Sequence, residues 1–430
     1  MKLSLQESVS SGGHAVPALA VSFRGRDFHG AKVFLHGTHR AAPPHETLER
    51  IRPNFGTVGL TRLANLTGLD RIGVPVILAV RPNGRVLSNA AGKGLTLEAA
   101  SVSAAMEAIE IYHAENVRLP VLCRSWEELA AERATIPITE LPRARHAIFN
   151  ARLPERWVLG WDLIQQEEVS VPLALVSLVL DPGCPWTWSP FQGGSNGLAS
   201  GNQFLEALCA GLLEVIERDA LACHTVAWEQ EGHAIPRLRL ETIQSPLVQD
   251  LLARLGAARV RPLLFDCTVD TGVPVYLAYL YDEVERHVGI FRGSGAHLDP
   301  EVALVRALTE AIQSRVVYFA GSRDDLLRRG LLSLQVHDDR RAVQLLESVR
   351  PTVDAWELTS QATPVFEADV QIVLQKLRWA GLNRVVVLDL THPGFDISVV
   401  RVIVPGMEGY RFDNSTPGHR ARNFSASGKR

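Results

Sequence analysis

Three segments of the chain are apolar almost all round and yet carry one narrow polar stripe each. Over 97–115, Ala99, Ala100, Val102, Ala104, Ala105, Met106, Ala108, Ile109 and Ile111 cover nearly every direction. Such a pattern predicts a buried helix rather than one lying on a surface. Ser103, Glu107 and Glu110 nevertheless fall at i, i+4 and i+7, on a single face. The segment 202–223 repeats the design. Its Glu206, Glu214 and Glu217 share a narrow arc, because spacings of eight and eleven residues nearly close on a 3.6-residue period. Arg218 lies beside them. The third segment, 301–319, carries Arg306, Glu310 and Gln313 at the same spacing as the first.

The remaining pattern mixes strands with helices. Residues 73–81 read as a buried strand closed by the turn Pro82-Asn83-Gly84. Residues 169–180 read as a strand in which Pro172 favours an edge or a starting position. A helix is expected over 246–255, ended by Gly256. A meander follows over 260–267, 273–281 and 287–292, with Asp270-Thr271-Gly272 as its first turn. A helix over 370–380 and a hairpin over 385–390 and 397–404 complete the pattern. Residues 1–55 read as irregular, with short β-like pieces such as 32–35. Adjacent strands joined by short turns favour the α+β class, with mixed, largely antiparallel sheets, over a doubly wound parallel fold.

Composition changes this picture little. The chain has 430 residues, 46% hydrophobic and 21% charged, with a formal charge of −3. That is ordinary for a globular protein and gives no pull toward nucleic acid. No long Pro/Ser/Gly linker divides it. The expected organisation is an N-terminal extension (1–58) packed on the core, a main domain (59–405) and a C-terminal tail (406–430). The polar, basic stretch 420–430 reads as a frayed tail. The N-terminus lacks the apolar run of a signal peptide, and no stretch is long enough to span a membrane. Cys123, Cys184, Cys209, Cys223 and Cys267 form no CxxC pair and are odd in number. A reducing cytoplasm, with the cysteines as small core residues, is the expected setting.

The stripes carry the candidate chemistry. For one helix, a solvent-facing stripe is the natural explanation; for three, each with little other polar surface, burial is the better one. A buried carboxylate without compensation costs several kcal/mol or more. Clustered carboxylates with few basic neighbours call for cations, and hard oxygen ligands select Mg2+ over Zn2+. Mg2+ usually bridges carboxylates to a substrate phosphate, so a nucleotide–Mg2+ site is expected. Glycine-rich turns are expected before each helix: Gly92-Lys93-Gly94, then Ser195-Asn196-Gly197 with Gly201-Asn202, then Gly293-Ser294-Gly295. There backbone N–H groups could approach phosphate. No Walker-A or dinucleotide fingerprint is present.

These residues resemble a known family. SNGLASGNQFLEALCAGLLEVIERDA (195–220) resembles the signature helix of the YcaO family. GKGLTLEAASVSAAMEAIE (92–110) resembles that family's first nucleotide motif, and EAIQSR (310–315) its third. The resemblance extends over about 59–405. It implies a YcaO-type fold with helices around a central nucleotide site, and ATP and Mg2+ as cofactors. It also implies transfer of the γ-phosphate to a backbone amide oxygen of a peptide or protein. By position, Ser103, Glu107 and Glu110 would belong to the first motif; Glu206, Glu214, Glu217 and Arg218 to the second; Gln313 and Arg315 to the third. Lys93, Ser195 and Asn196 would neighbour phosphate. Metal would fall to Glu107, Glu110, Glu206, Glu214 and Glu217, and catalysis to Glu214, Glu217 and Arg218. The chain departs from the family pattern at Ile111, where many members have Arg, and at Ala199 and Ala210. The missing positive charge is expected from Lys93, Arg292 or Arg323.

Branch cues are weaker. Azoline-forming members usually end in a proline-rich tail, whereas this sequence ends NFSASGKR. GTHR (37–40) through TRLANLTGLDRIGVPVILAVRPN (61–83) resembles the branch associated with TfuA, in which an external sulfur source gives a thioamide, and VPGME (404–408) fits a non-azoline branch. A TfuA-like partner protein is implied. An azoline cyclodehydratase and an accessory factor for modification of a ribosomal protein remain alternatives, and a homodimer is among the open assembly states. Cys209 and Cys223 are expected in the core. His224 and His297 read as local polar partners before substrate contacts. Trp186 and Trp188 fit a peptide groove or a core cap equally.

Overall fold

In the computed structural model, which describes residues 20–145, 147–179, 189–285, 289–322, 335–355, 359–409 and 416–424, each of the three apolar segments is a long helix that follows on a strand. The chain opens with β1 (Val21–Phe23), β2 (Arg26–Phe28), α1 (Pro44–Ile51), α2 (Phe55–Val58), β3 (Arg62–Asn65), β4 (Val76–Val80) and β5 (Asn89–Lys93), which leads into α3 (Leu97–Glu115). Then come β6 (Leu122–Ser125), α4 (Trp126–Glu132), β7 (Pro154–Asp162), β8 (Glu167–Pro172) and β9 (Leu198–Gly201), which leads into α5 (Phe204–Glu231). β10 (Arg237–Arg239), α6 (Pro246–Ala257), β11 (Val260–Asp266), β12 (Val275–Asp282) and β13 (Ile290–Ala296) precede α7 (Pro300–Ala320). The last elements are α8 (Gln335–Ser348), β14 (Pro351–Asp354), α9 (Phe366–Trp379), β15 (Val386–Asp389), β16 (Ser398–Ile403) and α10 (His419–Asn423).

Among the described residues the strands make four sheets. They are β1–β2, β3–β4–β5, β13–β12–β11–β10–β14, and a larger one ordered β6–β7–β15–β16–β9 with β8 also on β7. Pairings between these strands are antiparallel except that of β10 with β14. The mixed, largely antiparallel α+β expectation holds. No described helix is long and apolar enough to cross a membrane.

The meander shows how alternation builds two layers. Leu263, Phe265 and Leu277 face the core containing α5, while Leu264, Tyr276 and Ala278 face the core under α6 and α7. Helix α5 is gripped from the other side by Val400 and Val402 of β16 and by Val370, Val373 and Leu374 of α9. Helix α3 packs with β4, β7 and β15 in a further core. Full burial of each such side chain is worth about 1.5–3 kcal/mol. Local signals fix the helix ends. The Thr96 hydroxyl accepts the Ala99 N–H at the start of α3. Asp299 and Pro300 open α7, and Gly321 (φ 60°) closes it in the left-handed conformation.

Gly197 (φ 76°) sits in the turn before β9 as expected, but the other glycines before the helices serve a different purpose. Gly92 lies within β5, Gly201 ends β9, and Gly293 and Gly295 lie within β13. A Cβ on Gly92 would sit 2.1 Å from the Ala104 nitrogen, and one on Gly293 2.1 Å from the Ala311 nitrogen. A Cβ on Gly201 would sit 2.5 Å from the Ala207 nitrogen. Each strand therefore lies directly against the backbone of the helix it precedes. Close approach, rather than turn geometry, demands glycine.

Other expectations also change. The 169–180 strand stops at Pro172 and passes into a short 3-10 turn. The third meander strand begins at Ile290 and runs on to Ala296. Helix α6 runs through Gly256 to Ala257. Around 32–35 there are single bridges only, Ala31 with Val365 and Phe34 with Arg40, whereas α1 went unforeseen. The stretch from Arg420 is not frayed throughout: Arg420 bonds Asp219 at 2.8 Å and also pairs with Asp270, so α10 docks on α5. Cys209, Cys223 and Cys267 are buried as expected, but Cys123 is exposed. Cys184, Trp186, Trp188 and Arg323 lie outside the described residues.

Candidate active site

The polar stripes of α3, α5 and α7 meet. The Glu110 carboxylate accepts hydrogen bonds from the Ser200 N–H (2.8 Å) and hydroxyl (2.7 Å), tying α3 to β9. Glu217 on α5 accepts from the Ser294 hydroxyl (2.7 Å) and the Ala296 N–H (3.0 Å) of β13, with the Arg306 guanidinium of α7 at 4.0 Å. Lys93, at the end of β5, bonds Glu310 of α7 at 3.0 Å. Arg218 lies 3.9 Å from Glu214 one turn away. The Gln313 side-chain amide donates to the Ala91 carbonyl of β5. Ser103 stands one turn from Glu107 on the same half-buried face.

Electrostatics show that the carboxylates face one another. Burial pushes the Glu107 carboxyl up to about 7; Lys93 opposes this, while Glu310 and Glu214 add repulsion. Burial likewise pushes Glu110 up to about 7 against the Ser200 bonds, with Glu107 adding to the rise. Glu214 also reaches about 7 through burial, opposed by Arg218 and reinforced by Glu217 and Glu110. Glu310 is the exception. Burial would raise it too, but Lys93, Arg218 and Arg306 outweigh that and hold it below the usual range.

Alongside this excess of carboxylate, several buried polar atoms have no partner among the described residues. They are Nε of Arg218, Nε of Arg306, Nε and Nη1 of Arg401, and Oδ1 of Asn196. Carboxylates in mutual repulsion next to guanidinium groups short of acceptors fit a ligand that brings divalent cations and anionic oxygens together. No three His, Cys, Asp or Glu side chains among the described residues gather closely enough to hold an ion unaided. Mg2+ is commonly held by one or two carboxylates together with substrate phosphates.

Not every expected residue joins the cluster. Glu206 sits at its edge. Its oxygens accept the Ala41 N–H (3.0 Å) and the Asn202 side-chain amide (3.1 Å), with Arg40 at 3.3 Å. Arg40 also acts on Glu110, so it links the two. Ser195 is exposed, and its carbonyl closes the turn into β9 by accepting the Leu198 N–H. Arg315 is assigned to the third motif by the resemblance. It is fully buried and bonds Asp70 (3.0 Å) and Asp282 (2.7 Å), as a structural ion pair. Arg292 is exposed on β13 beside Tyr279.

The segment 37–41, inside the expected N-terminal extension, enters the site instead. A Cβ on Gly37 (φ 68°) would lie 2.6 Å from the Leu95 side chain and 3.5 Å from Val305, so the loop crosses between the starts of α3 and α7. His39 stacks edge-on against His297, with ring centroids 4.6 Å apart, just beyond β13. The Lys32 ammonium, fully buried with Asp369, reaches Nδ1 of His39 at 3.2 Å. Burial and the nearby Lys32 charge lower His39 from its ordinary range. Burial, His39 and Lys32 hold His297 well below its own. Arg40, Arg306, Glu310 and Arg401 are thus candidate site residues that stripe reasoning saw in part or missed. Arg306 and Glu310 lay on the third stripe, whereas Arg40 entered only as part of the branch cue GTHR and nothing local marks Arg401.

Comparison with known proteins gives the family. The family model described as YcaO cyclodehydratase, ATP- and Mg2+-binding, matches residues 91–408. A protein from the tfuA 3′ region of Rhizobium leguminosarum bv. trifolii is 36% identical over 388 residues, 86% of this chain and 88% of its own. The structure of YcaO from Methanopyrus kandleri bound with AMPPCP and Mg2+ superposes with a TM-score of 0.70 at 28% identity, covering 88% of this chain and 95% of that one. A heterocyclase in complex with substrate and cofactor shares the fold with a TM-score of 0.73 at 23% identity. The match covers 89% of this chain, which spans only about half, 54%, of that heterocyclase. The chain belongs to the YcaO family.

Proposed function

We propose that this chain is an ATP- and Mg2+-dependent enzyme that phosphorylates a backbone amide oxygen of a peptide or protein, and that the product is a thioamide made with a TfuA-like partner. One observation carries the reading. Glu107, Glu110, Glu214 and Glu217 converge from two helices, repelling one another, beside Arg218, Arg306 and Arg401, each of which has a buried Nε without an acceptor among the described residues. Those four glutamates would hold Mg2+, with Glu206 supporting from the edge. Bound there, the ion would neutralise charge on the triphosphate. Lys93, Ser103, Ser195, Asn196 and Gln313 would line the nucleotide.

An amide is a poor electrophile, and its oxygen is a weak nucleophile. In the reaction the amide oxygen attacks the γ-phosphorus and ADP leaves; hydrosulfide then adds to the carbon, and phosphate departs with the original oxygen. The residues would contribute by positioning and by offsetting charge, with Arg218 and Arg306 available to neutralise the oxygens where negative charge accumulates. No protein nucleophile is needed. Burial raises the thiols of Cys209 and Cys223 far above the range of a reactive thiolate.

The relative from the tfuA 3′ region, 36% identical along most of both chains, supports the thioamide branch. The test is mass spectrometry of a candidate substrate incubated with ATP, Mg2+ and sulfide, with and without the TfuA-like partner. A mass gain equal to replacement of oxygen by sulfur is expected. Loss of one water would assign azoline formation instead. An unchanged substrate with no ADP released would mean an accessory role.

A further inference from the structure

Arg401 is a buried cation that the proposed chemistry leaves only partly explained. It lies on β16, opposite Leu388 of β15 and Leu198 of β9, and is 3% exposed. Its Nη2 donates to the Gly194 carbonyl, while Nε and Nη1 have no partner among the described residues. Burial lowers its pKa to about 10, with the Glu214 carboxylate acting in the opposite sense. A buried guanidinium held by one neutral carbonyl costs several kcal/mol unless an anion completes it. Glu214 lies near enough to act on the charge, but no acceptor among the described residues meets Nε or Nη1. Two residues beyond Gly194, the buried Oδ1 of Asn196 is also unsatisfied. These unmet groups lie on strand β16 and on the loop before β9, not on the three helices that carry the sequence motifs.

We propose that Arg401 is an oxyanion ligand of this site, its free Nε and Nη1 N–H groups receiving a phosphate oxygen of the bound nucleotide. The inference rests on reading the carboxylate cluster as a nucleotide site, and deepens it. Arg401 then serves two partners, attracting Glu214 and binding the anion whose cations Glu214 helps to hold. Arginine suits this place because its charge survives burial where a lysine would tend to shed its proton.

The experiment is calorimetric titration of Mg2+–AMPPCP and Mg2+–ADP into the wild-type chain, Arg401→Met and Arg401→Lys, with thermal melts to confirm folding. The wild type should bind AMPPCP. Arg401→Met should weaken binding roughly ten- to hundredfold, the usual scale for a charge-assisted hydrogen bond, and Arg401→Lys should recover part of it. A loss for both nucleotides places the contact on an inner phosphate, and a loss for AMPPCP alone places it on the terminal one; either supports the proposal. Unchanged AMPPCP affinity in folded Arg401→Met overturns it while leaving the site reading intact. Failure of the wild type to bind AMPPCP defeats the site reading itself. Should Arg401→Met not fold, the wild-type Arg401 Nε–H resonance, assigned with Arg401→Lys, replaces it. A shift on adding Mg2+–AMPPCP is expected, and its absence would refute the contact.

Discussion

The Lys93 ammonium lies 3.0 Å from the Glu310 carboxylate, joining the strand that leads into α3 to the middle of α7. Glu310 is the carboxylate of the cluster held below the ordinary range, because Lys93, Arg218 and Arg306 outweigh its burial. Lys93 also acts on Glu107 across the same gap. Replacing it with methionine should leave two facing carboxylates with less compensation. We expect Lys93→Met to bind Mg2+–AMPPCP roughly tenfold or more weakly by titration, on the scale of one charged contact. Unchanged affinity would remove Lys93 from the site.

The raised carboxyls set a pH dependence. Glu107, Glu110 and Glu214 sit at about 7 in the fold against 4.5 ordinarily. Between those values the folded chain retains protons that the unfolded chain has released. Stability of the ligand-free protein should therefore fall as pH rises from about 4.5 through 7, as far as these groups decide it. Cation binding needs them ionised, so nucleotide affinity should rise across the same window, with protons released on binding. Titrations in two buffers of different ionisation enthalpy, together with melts across the window, check both signs. Binding near pH 6.5 without proton release would contradict the assignment.

Arg315 should behave as a structural residue. Its guanidinium bridges Asp70 and Asp282, and Asp282 also meets Arg71 at 2.7 Å. Although burial opposes ionisation, the Glu285 and Val284 N–H groups with Arg71 and Arg315 hold Asp282 down to about 2. Arg315→Met should cost about 3–5 kcal/mol by leaving buried carboxylates short of a partner. Denaturant unfolding reads this directly. The folded fraction should retain wild-type nucleotide affinity, an outcome that a ligand role would not give.

Strand glycines should tolerate no side chain. In Gly293→Ala the new Cβ would meet the Ala311 nitrogen at 2.1 Å and the Ala307 carbonyl oxygen at 2.5 Å. Separating β13 from α7 should cost about 1–3 kcal/mol or more and displace Ser294 and Glu310 from their partners. Gly56→Ala is the control, since nothing lies within 4 Å of its Cβ. Similar melting temperatures for the two variants would argue against strand–helix contact as the reason for Gly293.

The helices and their stripes were legible in the sequence because an all-round apolar helix leaves few places for a glutamate, and 3.6-residue spacing shows which ones share a face. Helix α3 ends where its pattern does. Strand limits near Pro172 and Gly293 were less readable: proline cut one strand short, and glycines that look like turn residues serve close packing. Contacts made across long sequence separations stayed hidden. Arg315 belongs by motif to the third stripe, but its partners Asp70 and Asp282 are remote in sequence and draw it away from the cluster. Arg40 and Arg401 carry no periodic signature, and only folding brings them to Glu206 and Glu214.

A crystal of the protein with AMPPCP and Mn2+ in place of Mg2+, measured at the manganese absorption edge, would locate the ions among the carboxylates. Anomalous peaks should fall at about 2.0–2.2 Å from oxygens of the glutamates on α3 and α5, Glu107, Glu110, Glu214 or Glu217, and of the phosphates. Nucleotide and manganese bound elsewhere, with those four carboxylates still facing one another unliganded, would show that the cluster does not hold a metal–triphosphate.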